Sequence, residues 1–342
     1  MLKRITTLVL AISVILVVAG CKNEEATVES VKDVVIEEAM DIPTPATNSY
    51  LDKYINTNER PIAVMVDNDN KDARPQSGLD EAYLVYEMMV EGGSTRFMAL
   101  FCSVDTEKIG PVRSSRHYFL DFVKENDAIY THYGWSPKAT TDISNLKVNN
   151  INGISGADSN IFWRERKFKG DWHSAYTSIA KIKERAQEKK YSTETTIKNE
   201  IKYSEEDITL PEQNIALEIV LPYSGKYKTS YNFNPETALY EKQINSAPHK
   251  MQNGNVLSFK NVIVQFIADK SLGDDSDRRE IITTGSGKGY YFTNGAYEEI
   301  TWSKSSRTAP TIYKKSDGST LVINPGSTMI NIISPNSGVN IK

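Results

Sequence analysis

The run Gly110-Pro111-Val112-Arg113-Ser114-Ser115-Arg116, leading straight into His117-Tyr118-Phe119-Leu120-Asp121-Phe122-Val123, constrains this chain more than any other stretch. Pro111 lacks an amide hydrogen and clashes with a preceding helical turn, so it sits inside neither a helix nor a central strand. It therefore marks a turn, and the residues after it read as a helix. Ser114 or Ser115 is a suitable N-cap, and Tyr118, Phe119, Phe122 and Val123 recur on one face. Arg113 and Arg116 would then flank a helix N-terminus, whose unpaired N–H groups and partial positive charge favour an anion. Two readings are open from this spacing: the guanidinium groups hold an external phosphate, sulfate or carboxylate, or they pair with carboxylates of their own protein.

Around that stretch, apolar runs alternate with helical signals. Ile62-Ala63-Val64-Met65-Val66 ends in Asp67-Asn68-Asp69-Asn70 and reads as a buried strand opening into a polar loop. Residues 83–90 and 95–104 are strand-like, and Glu91-Gly92-Gly93 between them is a hairpin signal. Another strand at 128–133 ends at Gly134, after which Ser136 as N-cap and Pro137 at the first helical position start a helix to about Leu146. Residues 150–170 are rich in Gly, Asn and Ser and read as a long loop, a length that is often functional. A charged helix with a solvated face follows over 177–190.

The remainder changes character. Short strand-like runs at 215–221, 231–233, 239–242, 262–268, 280–284, 289–293, 297–303, 320–324 and 328–333 are separated by turn signals such as Asn294-Gly295 and Pro325-Gly326. This part reads as a small barrel or sandwich. Gly285-Ser286-Gly287-Lys288-Gly289 lacks the glycine spacing and the following helix of a phosphate loop, and is expected to be a tight turn between strands. The fold class expected is α+β, an N-terminal mixed α/β domain followed by a predominantly β C-terminal domain.

At the N-terminus, Lys3 and Arg4, an uncharged apolar run over 5–18 and Val18-Ala19-Gly20-Cys21 have the form of a bacterial lipoprotein signal peptide. The apolar run is shorter than a membrane span requires, and Cys21 is the expected lipidation site, carrying palmitate or a similar chain. The expected divisions are a signal peptide over 1–21, a flexible tether over 22–58, an α/β domain over 59–192, a connector over 193–212 and a β-rich domain over 213–342. With 40 Lys and Arg against 44 Asp and Glu, the net charge of −4 gives no general attraction to nucleic acid. Cys102 is the one cysteine of the folded body and reads as a small buried hydrophobe.

These segments together resemble the YerB-type bacterial lipoproteins, a two-part family. The resemblance rests on residues 61–68, on Val85-Tyr86-Glu87 with Glu91-Gly92-Gly93-Ser94-Thr95-Arg96-Phe97, on the Gly110–Arg116 run, and on His132-Tyr133-Gly134-Trp135-Ser136. It extends to His173 with Tyr176, Asn261-Val262-Ile263-Val264-Gln265, Gly285-Ser286-Gly287-Lys288 with Trp302, and Asn324-Pro325-Gly326. The chain departs from the family's usual pattern at Asp171-Trp172-His173-Ser174, where the family has a basic residue, a proline and a following asparagine. The resemblance implies an extracytoplasmic lipoprotein and no particular reaction.

Polar residues collect where strands end, and in an open α/β sheet such ends share a ligand-binding edge. Asp67, Glu91, Arg96, Arg113, Ser114, Ser115, Arg116, His132 and Ser136 form the candidate set; Arg96 begins a strand, need not reach that edge and is its weakest member. Two functions follow. The first is a lipid-anchored binding protein that recognises an anionic envelope component, or an envelope protein, through an arginine cleft. The second is an envelope hydrolase or transferase in which His132 or His173 is the general base, oriented by Asp67 or Glu91, with the arginines holding an anionic substrate. No G-x-S-x-G or H-E-x-x-H pattern occurs, and neither a metal nor a cofactor is expected.

Overall fold

The computed structural model describes residues 50–197, 200–211 and 213–342. Cys21, the leader and residues 22–49 of the expected tether lie outside the described residues. The body begins earlier than the sequence suggests: Leu51–Ile55 forms a short π-helical turn, and Tyr54 stacks on Tyr83 with ring centres 6.3 Å apart.

Ile62–Asn68 forms β1, Leu84–Met89 β2 and Thr95–Phe101 β3. Ile129–His132 is β4 and Asn150–Asn152 β5. From the second half come Asn261–Phe266 (β6), Gly285–Thr293 (β7), Ala296–Lys304 (β8), Ile312–Lys315 (β9) and Thr328–Ile333 (β10). All ten share one mixed sheet in the order β9-β8-β7-β6-β10-β2-β3-β1-β4-β5. The seam between the two halves is the parallel pairing of β2 with β10, from Leu84↔Thr328 to Met88↔Ile332. The N-terminal part is mixed α/β and the C-terminal part predominantly β, and both contribute strands to this sheet.

The sheet is covered on both faces, which is why β1 is a continuous apolar run rather than an alternating one. Ile62, Val64 and Val66 face a core shared with Ile179 and Ile182 of the helix Ile179–Glu188 and with Ile219, Tyr231 and Tyr240 of a second sheet. That six-stranded sheet is built around Glu218–Pro222, Lys228–Asn234 and Leu239–Ile244, so the β module is a layer stacked on the common sheet, in the manner of a sandwich. Ala63 and Met65 face the opposite core with Phe119, Leu120 and Phe122 of α1, Phe119–Glu125. Each of those buried phenylalanines contributes roughly 2 kcal/mol by leaving water.

Two local expectations are overturned. The helix after Pro111 starts at Phe119 with Tyr118 as its N-cap and no capping side chain, so neither Ser114 nor Ser115 caps it. The backbone of 109–115 is engaged elsewhere: Val112 bridges Val66, Ile109 bridges Thr177, and Arg113 N donates to Met65 O at 2.9 Å. A chain holding those partners cannot close helical bonds. The second correction concerns Gly285 to Gly289, which opens β7 and pairs with β8 instead of turning. A Cβ on Gly287 would lie 2.7 Å from Trp302 Nε1, so glycine is required there for close packing within the sheet. The helix expected after Ser136 forms as α2, Pro137–Asn145, with Ser136 Oγ accepting from Ala139 N. Cys102 is buried, and burial, aided by the Glu59 charge, pushes its thiol up to about 11.

Candidate functional site

The antiparallel register of β1 and β3 sets Asp67 opposite Arg96, and that pair is the floor of the site. The β2–β3 turn, Glu91–Gly93, forms one wall. Gly92 and Gly93 both have positive φ, 68° and 75°, a backbone shape that favours glycine and projects Glu91 over the floor. The extended run after Pro111 supplies Arg113 and Arg116, and the loop before the strand Arg279–Ile281 supplies Arg278. Trp172 completes the rim of a cleft of about 520 Å³. Sequence reasoning missed Arg278 and Trp172. Arg278 lies in a charged turn far along the chain, and Trp172 registered only as a departure from the family pattern.

Three of the four arginines are neutralised within the protein. Arg113 Nε lies 2.8 Å from Asp67 Oδ2, and Arg278 Nη1 lies 2.9 Å from Asp274 Oδ2. Arg116 forks onto Glu91, Nε on Oε1 and Nη2 on Oε2, the latter at 2.9 Å. Arg96 differs. Its Nη1 donates to Ser114 O at 2.5 Å, but it has no carboxylate partner among the described residues, and its Nε is buried with no hydrogen-bond partner. Arg96 is only 3% exposed, so its charge is held in a poorly solvated place. Burial, reinforced by the Arg116 charge and opposed by Asp67, lowers it to about 10. The residue that sequence placed least securely at this edge is therefore the electrostatic centre of the cleft.

Asp67 sits behind the arginines, fully buried. Burial alone would raise its carboxyl. The His173 hydrogen bond and the Arg113 and Arg96 charges outweigh that and hold it below the usual carboxylate range. His173 Nδ1 lies 2.6 Å from Asp67 Oδ2, and His173 Nε2 lies 2.7 Å from Trp172 Nε1. An indole nitrogen only donates, so Nε2 accepts and the ring proton is on Nδ1, donated to Asp67. The lone pair that a general base would use is thereby occupied.

The other sequence candidates lie elsewhere. His132 is fully buried, with Nδ1 donating to Gly134 O at 2.7 Å and Nε2 3.3 Å from Asn150 Oδ1; burial lowers it to about 4. Its strand β4 pairs parallel with β1, but the ring is locked toward β5, with Asn150. Ser136 caps α2. Ser114 Oγ donates to Tyr133 O at 3.0 Å, while the carbonyls of Ser114 and Ser115 accept from Arg96 and Arg116. These two serines thus position the arginines through their backbone.

On the opposite face of the same strand ends is a second charged cluster. Glu87 and Lys242 are both fully buried, 2.8 Å apart, between the two sheets. Thr95 Oγ1 and Tyr227 OH donate to Glu87 Oε1 at 2.7 and 2.8 Å, and Lys242 Nζ also donates to Thr229 Oγ1 at 2.8 Å.

Two family models cover most of the chain. The N-terminal domain of the protein family of unknown function DUF3048 matches residues 47–192, and its C-terminal domain matches residues 219–330. The chain belongs to this two-part family, as the resemblance implied. A curated relative from Bacillus subtilis (strain 168), described as "Putative lipoprotein YerB", is 32% identical over 307 residues, covering 88% of this chain and 89% of the relative. The crystal structure of YerB protein from Bacillus subtilis superposes with a TM-score of 0.72 at 30% identity, covering 83% of this chain and 94% of that one. No helix among the described residues is long and apolar enough to cross a membrane.

Proposed function

We propose that this protein is an extracytoplasmic binding protein, tethered to the membrane by lipid on Cys21, that receives an anionic group of an envelope component or envelope protein between Arg96, Arg113, Arg116 and Arg278. The observation that carries this reading is that Arg96 is buried with no carboxylate in contact among the described residues. A buried cation without a carboxylate is unfavourable in the empty protein, and an anion entering the cleft relieves it. Arg113, Arg116 and Arg278 are tied by their own carboxylates and so present a preorganised rim. Membership of a family that includes a described lipoprotein supports the anchor.

Two experiments test the two halves of the proposal. Cys21→Ala should release the protein from the membrane fraction or leave an uncleaved precursor, and normal processing with lipid labelling of that variant would remove the anchor. Phosphate or sulfate in the millimolar range should raise the thermal midpoint of the parent and not of Arg96→Gln. Equal shifts in both proteins would leave the cleft without its central residue. The hydrolase reading keeps one supporting observation, the Asp67–His173 pair, and requires Trp172 to leave His173 Nε2. Trp172→Phe, which frees that nitrogen, should then unmask turnover of a substrate the parent ignores.

A further inference from the structure

We propose that the ligand of the arginine cleft is an acidic saccharide, a sugar unit bearing one singly charged acid group, and that Trp172 is the platform on which its ring stacks. This rests on the reading of the cleft as an anion seat and names what carries the anion.

Charge counting comes first. Arg113, Arg116 and Arg278 each contact a carboxylate, which leaves Arg96 as the arginine of the cleft with no carboxylate in contact among the described residues. One singly charged group in contact with it satisfies it. A phosphate dianion would bring a second charge against Asp69 and Glu91, which line the same cleft. Those carboxylates are an odd choice for a bare oxyanion, which offers acceptors alone. They suit a ligand rich in hydroxyl groups, because each hydroxyl both donates and accepts. Asp69 and Glu91 accept, the arginines donate, and Ser276 does both.

Trp172 supplies the remaining feature. It is 65% exposed, unusual for so large an apolar surface, yet it is not loose. Its indole N–H is held by His173 Nε2, His173 is held by the buried Asp67, and the two rings stand at 70°. An aromatic face fixed in this way at the rim of a polar cleft matches a pyranose ring, whose axial C–H bonds form an apolar patch beside its hydroxyls. The cleft volume of about 520 Å³ accommodates one or two sugar rings, whereas a helix or a domain would not enter.

The acid group could be a carboxylate or a phosphodiester, and the probes separate the two. The full chain is titrated by calorimetry with digalacturonate, a glucosyl phosphoglycerol carrying one phosphodiester, a neutral disaccharide and inorganic phosphate. One of the two acidic probes should bind about tenfold more tightly than both the neutral sugar and phosphate, the preferred one identifying the acid. For digalacturonate, Trp172→Ala should remove about tenfold of affinity while leaving phosphate binding unchanged, and Trp172→Phe, which keeps a ring but not the N–H, should retain most of it. The saccharide inference is overturned if the neutral disaccharide or phosphate binds as well as both acidic probes, or if Trp172→Ala binds digalacturonate like the parent. If phosphate binds in an Arg96-dependent manner in those cases, the anion seat survives alone. If none of the four probes binds, both readings fall.

Discussion

The ends of β1, β2 and β3 carry two charged clusters on opposite faces of one sheet, and they are built to opposite rules. Between the sheets, Glu87 and Lys242 are both fully buried and meet at 2.8 Å, with Thr95, Tyr227 and Thr229 completing the hydrogen bonds. Across the sheet, Arg96 has a carbonyl and, among the described residues, no carboxylate in contact, beside a cleft that admits solvent. The sealed cluster is satisfied internally and so can contribute only to structure. In the open cluster Arg96 is buried with no carboxylate in contact among the described residues, although Asp69 lines the same cleft, and on the proposed function that position is relieved when an anion binds. Charge alone does not distinguish the two clusters; whether each charge has a partner in contact does.

The largest expected effect lies in the sealed cluster. Lys242→Met strands Glu87 in a dry place and should destabilise the protein by roughly 3–5 kcal/mol in chemical denaturation, whereas adding Glu87→Leu should recover most of that. Near-wild-type stability of Lys242→Met would mean that water or another group reaches Glu87, and the contrast would weaken. Acid separates the regions next. His132 falls from an ordinary 6.5 to about 4 through burial, so the unfolded chain takes up a proton that the folded chain refuses. Stability attributable to His132 is therefore complete above 6.5 and lost as the pH falls toward 4, by roughly 3 kcal/mol at most. Asp67 and Glu91 titrate below their ordinary values of 3.8 and 4.5, so the cleft keeps its charges across that window. Unfolding midpoints should thus drop between pH 6.5 and 4.5, less in His132→Gln, while anion affinity of the still-folded protein stays flat.

A smaller loss is expected where the cleft is internally paired. Arg116→Ala removes a forked, partly exposed pair with Glu91 and should destabilise the protein by about 1 kcal/mol. The smallest effect belongs to Arg96→Gln. Its stability should change by no more than about 0.5 kcal/mol or should rise, since the substitution removes an unbalanced buried charge. A loss comparable to that of Lys242→Met would show that Arg96 is structural after all.

Much of this architecture was legible along the chain because β1, β2, β3 and β4 are apolar runs stopped by polar or glycine signals, and because Ser136-Pro137 is a strong helix start. The start of α1 was not legible. Pro111 correctly marks a turn, but the following residues spend their backbone bonds on β1 and on Thr177, partners that no local pattern reveals. The same holds for the glycines of 285–289, whose reason is the indole of Trp302 on the neighbouring strand. At the site, Asp67, Glu91, Arg113 and Arg116 were found because each adjoins a turn. Arg96 is the weakest of the sequence candidates because it begins a strand, yet in an antiparallel pair the start of β3 lies beside the end of β1. His132 shows the converse: a strand-end position whose ring turns into the core.

The central claim is that Arg96 is the unfilled seat of the cleft, and nitrogen-15 spectra of the arginine Nε–H groups, assigned by Arg96→Gln, test it most directly. On titration with phosphate and with digalacturonate, the Arg96 resonance should move first and saturably, with Arg113 and Arg116 following weakly because their own carboxylates already hold them. A titration in which only Arg278, the most exposed of the four, shifts in proportion to salt while Arg96 stays still would contradict the account.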